Sequence, residues 1–135
     1  MEKFELKENY APYVSGSNVS GLSVAERLPK KVFWTFGGKE FALECPDGLV
    51  AKNFEPNIFV IESPYEIKEN RAYVLSADGY LIADLPKKKG DLQLYYYDII
   101  LRGSEVIFLA SSNDGDFQLS VDLVSGSVNS INEFR

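Results

Sequence analysis

From Lys31 to the C-terminus, short apolar runs alternate with turn-forming residues at nearly regular spacing, the pattern of an antiparallel β meander. Val32-Phe33-Trp34-Thr35-Phe36 is rich in aromatic and β-branched residues, Gly37-Gly38 supplies a two-residue turn at positive φ, and Glu40–Cys45 runs back. Pro46-Asp47-Gly48 leads into a strand over Leu49–Phe54 and Pro56-Asn57 into one over Ile58–Glu62. Ala77-Asp78-Gly79 joins Arg71–Leu75 to Tyr80–Leu85. Further strands are predicted over Leu92–Leu101, Glu105–Ser111, Asp116–Leu123 and Val128–Phe134, with turns at Gly103-Ser104, Asn113-Asp114-Gly115 and Ser125-Gly126. In Asp116–Leu123 the alternation is clean: Phe117, Leu119, Val121 and Leu123 point one way, Asp116, Gln118, Ser120 and Asp122 the other. Leu92–Leu101 is apolar on both faces. Period two puts Leu92, Leu94, Tyr96, Asp98 and Ile100 on one side and Gln93, Tyr95, Tyr97, Ile99 and Leu101 on the other. Such a strand is either central and covered twice or exposes an aromatic patch.

The first 30 residues read differently. Ser15–Ser23 is Ser/Gly-rich and predicts a loop; Ser23 is placed to cap a short helix over Val24–Leu28, with Glu26 completing a capping box and Pro29 ending it. The expected architecture is mainly β: an antiparallel meander forming a twisted sheet, sandwich or open barrel, with at most one or two short helices near the N-terminus. It is read as one domain over residues 1–135, loop-rich over 1–30 and β over 31–135. Propeller blades of about 40–45 residues would fit three times, fewer than closure needs, and no fixed-period repeat is present.

Composition narrows the chemistry. With 135 residues, 45% hydrophobic and 25% charged, the chain is long enough to bury a core without metal or disulfide staples. It contains no histidine, which removes Ser-His-Asp and Cys-His nucleophile pairs and imidazole metal sites. Cys45 is the single cysteine. The opening Met1-Glu2-Lys3-Phe4-Glu5 lacks the basic start and apolar run of a secretory signal, and no run is long enough to span a membrane, so a cytoplasmic location is expected. The net charge of −6 is uneven: residues 91–135 hold seven Asp or Glu against two Arg, residues 1–90 thirteen against twelve Lys or Arg. Such acidity repels phosphate backbones, so nucleic acid is not an expected ligand, and it speeds encounter with a basic protein. The basic run Lys87-Lys88-Lys89 reads as a solvated loop.

Nucleophile-elbow, phosphate-loop, dinucleotide and paired-cysteine templates are all absent. Carboxylates such as Glu62, Glu66, Asp78, Asp84, Asp98 and Asp122 are the remaining acid–base candidates, but nothing in their spacing pairs them. Asn113-Asp114-Gly115-Asp116 resembles the start of a calcium loop, yet a strand follows at once and a hairpin turn explains it. Cys45 reads as a small buried hydrophobe and Trp34 as core. No cofactor or metal is expected, and no enzymatic activity. The Tyr95-Tyr96-Tyr97-Asp98 cluster stands apart, because tyrosines offer large contact area at low entropic loss and recur at protein interfaces; core packing of all three is the competing reading.

Tyr97-Asp98-Ile99-Ile100-Leu101, Val106-Ile107-Phe108-Leu109, and Phe117-Gln118-Leu119-Ser120-Val121-Asp122-Leu123 with Gly126 make up much of the last third of the chain. This tail resembles that of small bacterial immunity proteins from contact-dependent growth inhibition and related polymorphic toxin systems. The resemblance implies a non-enzymatic cytoplasmic binder that blocks one cognate toxin domain, often a basic nuclease. It carries no binding residues with it. From charge and aromatic content, the expected partner-binding residues are Tyr95, Tyr97, Asp98, Asp114, Asp116 and Asp122. Two rival readings stand beside it: a small carbohydrate- or metabolite-binding β domain with an aromatic pocket around Trp34 and Tyr80, and a carboxylate-based hydrolase.

Overall fold

The structure, a computed structural model, describes residues 7–10, 28–64, 66 and 68–134. Among the described residues every regular element is a β-strand, and every strand pairing is antiparallel. β1 (Lys7–Tyr10), β2 (Pro29–Phe36) and β3 (Lys39–Glu44) form the first sheet in the order β1-β2-β3. β4 (Leu49–Phe54), β5 (Asn57–Glu62), β6 (Arg71–Ser76) and β7 (Leu81–Asp84) form the second as a simple meander. β8 (Lys88–Lys89) and β9 (Leu92–Gln93) make a two-residue ribbon. β10 (Tyr95–Arg102), β11 (Glu105–Ser112), β12 (Gly115–Asp122) and β13 (Val128–Phe134) form the third sheet, again in chain order.

The three sheets stack in layers without closing into a barrel. The second sheet is the middle layer, and its strands show why. In β5, Ile58 and Val60 face the first sheet while Phe59 and Ile61 face the third; in β6, Tyr73 and Leu75 face one way, Ala72 and Val74 the other. Both faces are therefore apolar, as a twice-covered strand requires. Toward the first sheet this layer meets Trp34, Phe36, Phe41 and Leu43. Toward the third it meets Tyr96, Ile99, Val106, Phe108, Phe117, Leu119 and Val121. Phe108 sits at the centre, its ring 6.2 Å from Phe59 and 6.1 Å edge-on from Tyr96, geometries aromatic pairs favour.

Polar ties hold the layers in register. Asn57 Nδ2 donates to the carbonyls of Leu123 (3.0 Å) and Val124 (2.8 Å), joining the middle sheet to the last hairpin. Asn70, buried in the link between β5 and β6, donates to the carbonyls of Ser63 (3.3 Å) and Tyr96 (2.8 Å) and accepts from the Tyr96 N–H at 2.8 Å. Trp34 Nε1 donates to the Ala77 carbonyl at 2.7 Å, fixing the first sheet to the turn after β6.

The mainly β, antiparallel expectation matches this architecture, and β4 and β13 have the predicted bounds. Several local readings need correction. The loop-rich reading of the first 30 residues misses β1, which borrows its partner from β2, and β2 itself starts at Pro29, where a helix stop was expected. The loop over Ser15–Ser23 and the body of the helix over Val24–Leu28 lie outside the described residues. The single strand Leu92–Leu101 is broken at Leu94, whose N–H bonds to the Lys87 carbonyl at 2.8 Å, so the basic run read as a loop contributes the short β8. The strands that are apolar and covered on both faces are β5 and β6; of Leu92–Leu101, read as either covered twice or carrying an aromatic patch, Tyr95 and Tyr97 are left half-buried.

Candidate functional site: the outer face of the third sheet

Val106, Phe108 and Ala110 of β11 and Phe117, Leu119 and Val121 of β12 point into the core, so their alternates lie on the opposite side of the sheet, away from the middle layer, here called its outer face. Pairing then lays out the outer face row by row: Tyr95 beside Ser111 and Asp116, Asp98 beside Leu109 and Gln118, Ile100 beside Ile107 and Ser120, Arg102 beside Glu105 and Asp122. Ile107, Leu109 and Ser120 in the middle are buried, while Glu105, Asp116 and Arg102 at the ends are exposed. Asp114 lies in the exposed turn between β11 and β12. Five of the six expected partner-binding residues thus share one face, and the sixth caps its end. Four carboxylates (Asp98, Glu105, Asp116, Asp122) oppose one guanidinium (Arg102) across it.

The strict alternation read from the sequence would have put Asp98 behind the sheet, away from Tyr95 and Tyr97. That expectation is overturned by a β-bulge. The register of β10 against β11 slips between Tyr96 and Asp98: Tyr96 pairs with Ala110, Asp98 with the next residue Leu109, and Tyr97 is the extra residue. After the slip the strand's inward positions move by one, so Ile99 is in the core with Leu94 and Tyr96, and Asp98 comes out on the side of Tyr95. Of the tyrosine cluster, Tyr96 alone is fully buried, its hydroxyl donating to the Pro86 carbonyl at 2.5 Å; Tyr95 and Tyr97 are half-buried.

The electrostatics follow from this layout. Tyr97 Oη lies 3.4 Å from Asp116 Oδ2. Its phenol is raised above 10.0, first by partial burial, then by the Asp116 carboxylate through charge and hydrogen bond, and then by the charge of Asp98. Asp98 accepts the Ile99 N–H at 2.8 Å, and Glu105 Oε2 accepts the Ser120 hydroxyl at 2.6 Å. Asp122 differs: its Oδ2 accepts the backbone N–H groups of Val124 (3.1 Å) and Ser125 (2.7 Å), so it shapes the β12–β13 turn. Those bonds, the Ser125 N–H foremost, hold its carboxyl below the usual value. Glu105 was missed by sequence reading; its signal was its place on the Ile107 and Leu109 side of β11.

Elsewhere, the residues weighed for other chemistry have structural partners. Trp34 is 3% exposed and stacks on Phe41. Cys45 is buried with Sγ 3.1 Å from Ser63 Oγ. Glu62 accepts the Tyr73 hydroxyl at 2.5 Å, and burial, with Glu62 second, pushes that phenol far above its usual value. Asp84 pairs with Arg71 at 2.9 Å. Among the described residues no group of three or more His, Cys, Asp or Glu is placed to hold a metal ion.

No family model and no curated protein matches the sequence. Among solved structures, a chain from the structure of Tne2 in complex with Tni2 is similar over 98% of this chain and 97% of that one, with a TM-score of 0.67 and 18% identity. The likeness shows a shared fold.

Proposed function

We propose that the chain is a bacterial immunity protein that works in the cytoplasm without catalysis, binding and neutralising a cognate basic toxin domain of the nuclease type through the outer face of the third sheet. The observation that carries this reading is the bulge at Tyr97, which gathers Tyr95, Tyr97, Asp98 and Asp116 on one face with an acidic excess. Half-buried tyrosines ringed by carboxylates suit a lysine- or arginine-rich surface: the rings supply contact area and the acids steer encounter and fix register. Two further supports are the resemblance of the tail to immunity proteins of polymorphic toxin systems, and a fold shared over nearly the whole chain with a component of a two-protein complex.

The test is to co-express the chain with the product of its adjacent gene. A stable complex together with suppressed toxicity supports the reading. A toxic neighbour that neither binds nor is suppressed overturns it, and a suppressed toxin without nuclease activity replaces the nuclease assignment alone.

A further inference from the structure

Away from the acidic face, two hairpin tips converge over a groove of about 450 Å³, lined by Phe36, Lys39, Phe41, Asp78, Gly79 and Tyr80. One tip is the β2–β3 turn, the other the β6–β7 turn. The second is held by four bonds around Ser76: its N–H donates to the Tyr80 carbonyl (2.9 Å), its hydroxyl donates to Asp78 Oδ1 (2.5 Å) and accepts from the Tyr80 N–H (3.1 Å), and its carbonyl accepts from the Gly79 N–H (3.0 Å). Gly79 has φ +87°, and a Cβ there would lie 3.0 Å from the Phe41 ring, so glycine lets the turn close down over that ring. Behind Phe41, Trp34 stacks at 5.5 Å and 16°. The walls are thus fixed before any ligand arrives.

We propose that this groove binds a neutral saccharide. Its size falls in the ~300–1,000 Å³ range of small-molecule sites. Three aromatic rings line it, and Tyr80 is 71% exposed, an apolar surface that gains from being covered. Lys39 and Asp78 bring one charge of each sign, and neither forms an ion pair among the described residues. An anionic ligand would meet Asp78 and a cationic one Lys39, while a purely apolar ligand would desolvate both without replacing their hydrogen bonds. A pyranose answers all of these: its C–H face lies on an aromatic ring, and its hydroxyls donate to a carboxylate and accept from an ammonium. The groove is framed by the first and second sheets, so this proposal stands apart from the inhibitory reading of the third.

The experiment titrates the full chain with methyl glycosides of glucose, galactose, mannose and N-acetylglucosamine, and with lactose, maltose and chitobiose, following backbone amides by NMR; glycerol is the control. At least one sugar is expected to shift Gly38, Gly79 and Tyr80 saturably, with Tyr80→Ala and Asp78→Asn each weakening binding about tenfold and leaving distant amides in place. Asp78→Asn keeps the acceptor for Ser76, so it guards against loss of the turn. Shifts that never saturate, an equal response to glycerol, or unchanged affinity in both variants overturns the proposal. So does a wild-type chain that binds none of these sugars; if Tyr80→Ala then also loses affinity for the proposed toxin, the groove is assigned to a protein partner.

Discussion

The phenol of Tyr97 reaches from β10 past β11 to the carboxylate of Asp116 on β12, with Oη 3.4 Å from Oδ2. Tyr97 is the extra residue of the bulge, and Asp98 adds the second negative charge felt by the phenol. The face therefore concentrates negative potential around a ring that is half open to solvent.

Reversing charge at this end of the face slows association. If the proposed basic toxin is the partner, the double substitution Asp114→Lys with Asp116→Lys lowers the association rate about tenfold at low salt, and the gap from wild type closes as salt rises, because exposed charges are screened over about 8 Å at physiological ionic strength. Stopped-flow mixing across a salt series reads this directly. An unchanged rate at low salt removes both residues from the interface. Asp122 is left intact in this test because its carboxylate also holds a turn.

Asn70 is the polar keystone between the middle and third sheets. Asn70→Ala leaves the buried N–H and C=O of Tyr96 without their partner, and lowers unfolding free energy by about 1–3 kcal/mol. Urea titration should show a lower midpoint at unchanged slope, since the surface exposed on unfolding is the same. Tyr96 is the residue immediately before the slip in register, so loss of this bridge should also broaden the amide signals of Tyr97 and Asp98.

Acid should erase the contribution of Asp122. Its carboxyl lies below the usual 3.8 in the folded chain, chiefly through the Ser125 N–H, so the unfolded chain binds this proton more readily than the folded one. The stabilisation is complete above 3.8 and is lost as pH falls through the lower folded value. Asp122→Ala is accordingly less stable than wild type at neutral pH, and the difference in Tm narrows on acidification; a gap that stays constant to pH 2 rules the charge out as its source.

Much of the fold is legible in the sequence wherever the information is local. Gly37-Gly38 between two apolar runs marks the β2–β3 hairpin, and the alternation of Phe117, Leu119 and Val121 marks the buried side of β12. Stacking of sheets is not local: nothing within Asn57–Glu62 says which of its two apolar faces meets Trp34 and which meets Phe108. The short β1 and β8 strands exist through their partners and carry little pattern of their own. The acidic and aromatic residues were visible in the chain, but their gathering was not, because a bulge is a fault in the very periodicity used to assign faces. Asn70, one polar residue in a polar link, gives no sequence sign that its amide bridges two layers.

The slip at Tyr97 also makes the length of this segment matter as much as its composition. Removing Tyr97 would restore an uninterrupted pleat with Asp98 still opposite Leu109 and Ile99 still inward; an uninterrupted strand that kept Tyr97 would instead turn the rest of β10 over, sending Ile99 into water and Ile100 inward. The bulge absorbs one surplus residue locally, so the acidic face and the hydrophobic interior beyond it each keep their side of the sheet.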